Sequence, residues 1–340
     1  MADRTVSVAV IGAGRAGLIH ARNFASRVPG ACLAGLADPS ERALAEACQE
    51  LAGVPTYLDS AEVIADAAVD AVVVATPTVF HEGIAIAAAN AGKHVLCEKP
   101  MAMSADECER MIAAARAASV RLQVGFMRRY APDFLAAKQA IERGDIGDVV
   151  CVRSLTHGPS IPKPWQYDIS KSNGPLAEVN SHDIDTLRWF TGSEFREVYA
   201  IAGNYRCPEA RADFPDFYDN VVMLASFEND MQGIVHGAVS VRYGYDARLE
   251  VLGTRGVLLL GELKGDGVIV CNDPAGEARR ISSSWRDLFK DAYLAEDESF
   301  VECIREDKEP RVTGLDGKMA VAVVEAGNRS IREGKPIMLC

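Results

Sequence analysis

The run Val6-Ser-Val-Ala-Val-Ile-Gly12-Ala13-Gly14-Arg15-Ala16-Gly17 constrains this chain more than any other stretch. Its first six residues are nearly all apolar, as a strand buried on both faces must be. Three glycines follow, and each spacing has its own physical use. Gly12 lets the chain turn sharply off the strand, Gly14 lets a pyrophosphate approach the backbone, and Gly17 lets the next helix pack close to the strand. The helix start then offers its unpaired N–H groups to phosphate oxygens. A second strand, Ala31 to Ala37, is followed at once by Asp38, about twenty residues beyond the glycines, where an acid accepts hydrogen bonds from ribose hydroxyls. Asp38 can equally serve as the N-cap of the helix that follows Pro39. As a ribose ligand it repels a 2′-phosphate, which favours NAD over NADP; Arg42 softens that preference if it swings toward the site.

Alternation of strand and helix continues through Asp70–Ala75 (strand), Val79–Ala91 (helix) and Lys93–Cys97 (strand). This is the pattern of a doubly wound parallel sheet. Two turns stand where such sheets bind ligands, at the carboxyl ends of strands. One is Ala75-Thr76-Pro77-Thr78, with His81 just beyond it as either a helix-start residue or a cofactor neighbour. The other is Glu98-Lys99-Pro100, in which Lys99 can pair with Glu98 or reach a substrate hydroxyl, and a cis proline bond would fix its direction. Further on, Val149–Thr156, Phe195–Tyr205, Phe217–Glu228, Met231–Arg242 and Ala247–Leu252 read as β-rich runs, and Val239–Tyr245 alternates as a half-buried strand does. Leu294–Arg305 and Asp316–Arg332 return to helical periodicity.

With 340 residues, 49% of them hydrophobic, the chain can fill two cores. A formal net charge of −12 argues against a broad basic surface for nucleic acid or an anionic membrane. Nine scattered cysteines form no CxxC pair, so neither a metal site nor a disulfide framework is expected, and reduced thiols fit the cytoplasm. No charged stretch precedes an apolar run at the N-terminus and no apolar run approaches eighteen residues, so a soluble, unexported protein is expected.

Oxidising a secondary carbinol needs a held hydride acceptor and a base for the hydroxyl proton, a task suited to histidine. Glu178 and His182 are four apart, with Asp185 three further on, so a single helix would set all three on one face. A satisfied core histidine gives the same spacing. Tyr167-Asp-Ile-Ser-Lys171 fits the YxxxK of short-chain dehydrogenases, with Ser154 upstream. Prolines 162, 164 and 175 hem that stretch, however, and keep tyrosine and lysine off one helix.

Gly12 to Gly17, Ala75-Thr76-Pro77-Thr78 and Glu98-Lys99-Pro100 together resemble the glucose-fructose oxidoreductase/inositol dehydrogenase (Gfo/Idh/MocA) family. Gly125–Tyr130, Gly174–Asp185, Tyr243–Gly253 and the tail Phe300–Leu339 resemble its inositol 2-dehydrogenase branch. The resemblance implies an α/β Rossmann domain over residues 1–125. Residues 126–340 would form an α+β domain with a large, mostly antiparallel, open-faced sheet, its C-terminal helix packing back on the first domain. It also implies an NAD(P)-dependent dehydrogenase of cyclic polyols or sugars that forms homodimers or homotetramers. Around the cofactor it places Gly12, Ala13, Gly14, Arg15, Ala16, Gly17, Asp38, Thr76, Pro77, His81, Glu98 and Lys99. On the substrate it places Lys99, Arg128, His157, Glu178 and His182, with His182, Lys99 and Glu178 catalytic. Glu178 stands where the family usually has Asp, and Ser154–Ser160 departs from its usual segment, which puts inositol itself in question. A dehydrogenase of another sugar or glycoside, and a non-catalytic NAD sensor on the same scaffold, are the alternatives.

Overall fold

The strand β1 (Val6–Ile11) is buried at every residue except the partly buried Ser7, and its apolar residues are the reason. The computed structural model describes residues 4–261 and 284–339, and two of the nine cysteines, Cys271 and Cys340, lie outside them. After β1 come α1 (Arg15–Ser26), β2 (Ala31–Ala37), α2 (Glu41–Cys48), β3 (Thr56–Tyr57), α3 (Ser60–Ala65), β4 (Ala71–Val74), α4 (His81–Asn90), β5 (His94–Cys97), α5 (Ala105–Ala117) and β6 (Leu122–Val124). Caps set several of the helix starts: Ser40 Oγ accepts from Ala43 N–H at 3.2 Å and Asp59 Oδ1 from Ala61 N–H at 2.8 Å. The strands form a parallel sheet in the order β3-β2-β1-β4-β5-β6, which reverses direction between β1 and β4. That reversal is the switch point at which open α/β sheets leave a crevice for ligands.

The chain continues through α6 (Pro132–Glu142), β7 (Val149–His157), α7 (Ile169–Ser172), α8 (Gly174–Glu178), α9 (Ser181–Thr191), β8 (Phe195–Gly203), β9 (Asn220–Phe227), β10 (Gln232–Ala238), β11 (Asp246–Gly253) and β12 (Val257–Leu260). It ends with α10 (Trp285–Leu288), α11 (Lys290–Glu306), α12 (Gly314–Glu333) and β13 (Ile337–Met338). Two compact units result: Met1–Tyr130 with Asp291–Met319, and Ala131–Lys290 with Ala320–Cys340. In the first, Val8, Val10, Phe24, Leu36, Val73 and Leu96 pack with Phe300 and Val301 of α11. Each such side chain contributes about 1.5–3 kcal/mol by leaving water.

The second unit holds a sheet in the order β12-β11-β7-β10-β9-β8-β13, in which only the β7–β10 pair is parallel. Residues of one face, among them Val152, Val198, Val221, Met223, Val235 and Val251, are fully buried. The opposite face leaves Tyr199, Ile201, Leu224, Leu252, Val257 and Leu259 36–57% exposed. The alternating stretch Val239–Tyr245 is not a strand. β10 stops at Ala238 because its neighbours stop there too: Ala238 pairs with His157, the last residue of β7, and with Asn220, the first of β9. Val239 instead packs with Tyr167, Cys207, Ala210 and Phe217.

Gly17 is the tightest point of the first unit, since a Cβ there would lie 1.8 Å from the Gly12 carbonyl oxygen. Gly17→Ala should therefore lower the unfolding free energy by about 1–3 kcal/mol, although alanine is intrinsically the better helix former. Urea unfolding measures this, and an unchanged midpoint would mean that the contact yields without cost.

Candidate active site

The glycine turn is shaped by what surrounds it. Gly12 takes φ 110°, open to glycine, and its pro-Cβ direction points at the Ala75 carbonyl oxygen 2.5 Å away. Gly14, by contrast, has nothing within 4 Å of that direction. It is the N-cap of α1, whose start has no side-chain cap and no acidic residue in its first turn. A helix start left in that state is suited to an anion. Ala13, Arg15 and Ala16 line the same turn, and Asp38 is tied to it. Its Oδ2 accepts from Ala13 N–H at 2.8 Å and its Oδ1 from Ser40 N–H at 2.9 Å. The cap of α2 is Ser40, not Asp38. Arg42 lies along α2, 3.5 Å from Glu46.

At the carboxyl ends of β4 and β5 the two ligand-edge turns are joined by His81. Its Nε2 meets the Thr76 carbonyl oxygen at 2.8 Å and its Nδ1 that of Pro100 at 2.9 Å. The ring is buried, and burial holds its pKa below the ordinary value against the pull of those carbonyls. Thr76 Oγ1 is buried with no hydrogen-bond partner among the described residues, beside exposed Pro77. Lys99, partly buried, precedes Pro100 across a cis bond. Glu98 is 4% exposed; its Oε2 accepts from Lys99 N–H at 3.0 Å while its Oε1 faces His20 Nε2 at 3.3 Å. Burial alone would raise Glu98, but the hydrogen bond and charge of His20, together with Lys99, hold it below the usual carboxylate range. Arg128 follows β6 in a single 3₁₀ turn, Met127–Tyr130, and is fully buried.

In the second unit Glu178 and His182 do not share a helix. Glu178 is the last residue of α8, His182 the second of α9, and Val179-Asn180 breaks the run between them. Spacing of four therefore sets no common face here. The start of α9 is fastened to β7 by fully buried Asp183, which accepts from Ser154 Oγ at 2.5 Å, Thr156 Oγ1 at 2.9 Å and Asn180 Nδ2 at 2.8 Å. This anchor places His182, 5% exposed, and fully buried Asp185 on α9. Glu178 Oε2 accepts from Gln166 Nε2 at 2.9 Å, and Gln166 belongs to the 3₁₀ turn Pro164–Tyr167 of the proline-rich loop. Tyr167 and Lys171 fall in different short helical pieces, so the YxxxK arrangement is absent. His157, next after Thr156, turns to the other sheet face, where its Nδ1 meets Tyr243 Oη and its Nε2 lies 3.3 Å from His236 Nδ1. Burial, then the His236 charge, pushes His157 down to about 4.

Residues 6–126 match the model of the oxidoreductase family with an NAD-binding Rossmann fold, and residues 134–259 match the GFO/IDH/MocA C-terminal domain. The chain belongs to the Gfo/Idh/MocA oxidoreductase family. It is similar to the myo-inositol 2-dehydrogenase of Thermotoga maritima, at 33% identity over 98% of both chains. It is also similar to the scyllo-inositol 2-dehydrogenase (NAD(+)) of Bacillus subtilis, at 32% identity over 99% of this chain and 97% of that one. Among solved structures, scyllo-inositol dehydrogenase of Lactobacillus casei with bound NAD(H) and scyllo-inositol has a TM-score of 0.86 and 27% identity, covering 98% of this chain and 99% of that chain.

The open Gly14, the uncapped α1 and the held Asp38 carboxylate fit the NAD of this family's Rossmann domain, and we propose that they would meet its phosphates at the helix start and its ribose hydroxyls at Asp38. Reading the sequence missed His20, Asp297 and Glu296. The one signal available was a histidine on the inward stripe of α1, three residues beyond Gly17. Asp38→Ala removes two charge-assisted hydrogen bonds to backbone, worth about 1.5–3 kcal/mol each at most. It should raise the KM for NAD about tenfold or more and narrow the ratio of kcat/KM for NAD to that for NADP. Steady-state kinetics with both cofactors tests this, and a wild-type preference for NADP would remove the role of Asp38.

Proposed function

We propose that this chain is an NAD-dependent dehydrogenase that oxidises a ring secondary hydroxyl of an inositol-like cyclic polyol to the ketone. What supports this reading is that a chain related over its whole length to inositol 2-dehydrogenases carries Lys99 just after β5 and His182 at the start of α9. NAD, when bound, takes the hydride from the carbinol carbon. His182 accepts the hydroxyl proton. Lys99 orients a substrate hydroxyl oxygen and stabilises negative charge developing on it. Glu178 grips a neighbouring hydroxyl, and Arg128 completes the substrate contacts; His157, turned to the other face of the sheet toward Tyr243 and His236, is not among them. The extra methylene of Glu178, relative to the family's usual Asp, moves the carboxylate, so the preferred polyol differs in the position or orientation of one hydroxyl.

Assembly into a homodimer or homotetramer belongs to the same proposal. The exposed apolar face of the second unit's sheet, with Tyr199, Ile201, Leu224 and Leu252 in view of solvent, is the kind of surface soluble chains cover. A second copy of this chain is the occupant proposed, and light scattering that finds a monomer at micromolar concentration would refute it.

A panel of inositols, aldoses and glycosides, assayed with NAD, decides the substrate class. NADH binding without turnover across the panel would favour a sensor. His182→Ala should lower kcat by about two to four orders of magnitude, abolish the acidic limb of the pH profile, and leave NADH binding unchanged. Glu178→Asp should shift preference within the panel while keeping activity. Near wild-type turnover in His182→Ala would pass the role of base to Lys99.

A further inference from the structure

Behind Lys99 lies a buried row of ionisable groups that the proposed reaction does not use. His20, on α1, has no exposed surface; its Nδ1 is 2.6 Å from Asp297 Oδ1, and its Nε2 faces Glu98 Oε1. Asp297 is itself fully buried on α11 and takes a second hydrogen bond, to Oδ2, from Asn23 Nδ2 at 2.8 Å. The Tyr293 ring stands edge-on to the imidazole, 5.4 Å between centroids. A neutral imidazole has one N–H and one lone pair, so it satisfies one carboxylate and repels the other; an imidazolium satisfies both. Burial opposes that charge, but the attraction and hydrogen bonds of Asp297, and then of Glu98, hold His20 well above the ordinary histidine range. Burial likewise raises Asp297, with His20 pulling the other way.

We propose that His20, as an imidazolium held between Asp297 and Glu98, is a positioning residue for Lys99. It fixes one oxygen of Glu98 so that the other holds the Lys99 backbone N–H. The groups facing it are Asp297 and Glu296 of α11 and Glu98 after β5, with Lys99 beyond Glu98. His81 and Cys97 feel the Glu98 charge, and Tyr130 that of Glu296. Glu296, fully buried with neither carboxyl oxygen hydrogen-bonded among the described residues, is pushed well above the usual carboxylate range, first by burial. Because the folded state raises the His20 pKa, its stabilisation is fully present below the ordinary value of about 6.5 and is lost as pH rises through the folded value.

The kinetic consequence rests on the dehydrogenase reaction proposed above; the effect on the Lys99 backbone does not. In cofactor-free full-length protein, ring ¹⁵N spectra should show one histidine with both nitrogens protonated at about pH 8, a signal absent from His20→Gln. Hydrogen exchange should show the Lys99 amide opening about tenfold faster in that variant. Its kcat should fall about ten- to hundredfold, the cost of a misplaced catalytic group, with KM for NAD little changed. If His20→Gln does not fold, Asp297→Asn keeps an acceptor for Nδ1 but removes the charge. The His20 ring should then titrate near the ordinary value, and kcat should gain a pH step there. A wild-type His20 that titrates near 6.5, or a folded His20→Gln with unchanged Lys99 exchange, would overturn the proposal. A wild-type chain that oxidises no polyol would refute the dehydrogenase reading alone, and the spectra and exchange would still decide the role of His20.

Discussion

Gly17 approaches the Gly12 carbonyl at a distance that leaves no room for a methyl group, and the rest of the first unit is arranged around that backbone contact. It sets α1 against the turn that leaves β1, so the uncapped start of α1 points where phosphates bind. Helical periodicity then does the rest. His20, three residues on, reaches the end of β5, and Phe24, a further turn along, enters the core beside Leu36 and Phe300. One steric constraint thereby fixes the anion site, a buried cation and part of the hydrophobic core.

Polar groups collect at the carboxyl edge of the parallel sheet because strand ends leave backbone groups that the ladder does not use. Burying ionisable side chains there is costly unless each is answered, and the structure answers them locally. His81 joins the turns after β4 and β5 through two carbonyls. At the opposite, amino edge, Lys93 just before β5 donates to the carbonyls of Asp66 and Val69 just before β4, at 2.7 and 2.6 Å. Glu98 is shared between His20 and the Lys99 backbone. In the second unit Asp183 does the same service, holding three donors from β7 and the α8–α9 break. Both units thus use a buried acid to fix the backbone beside a proposed catalytic residue: Glu98 beside Lys99, Asp183 beside His182.

The sequence by itself determined the parallel, doubly wound sheet, the glycine turn, the acid after β2 and the two turns at the ligand edge. Continuous apolar runs, breaker pairs and glycine spacings are local properties, and β2 came out with the bounds read from its residues. The tertiary structure alone decided the rest. Val239–Tyr245 alternates as a strand does, yet a strand needs neighbours, and those of β10 end at His157 and Asn220. Glu178 and His182 keep helical spacing across a break that places them in separate helices. His20 and Asp297 are 277 residues apart, so no local pattern in either segment announces their contact. Spacing along a chain reports only which residues would meet if an element were continuous; where elements stop, and which distant side chain answers a buried charge, are set by packing.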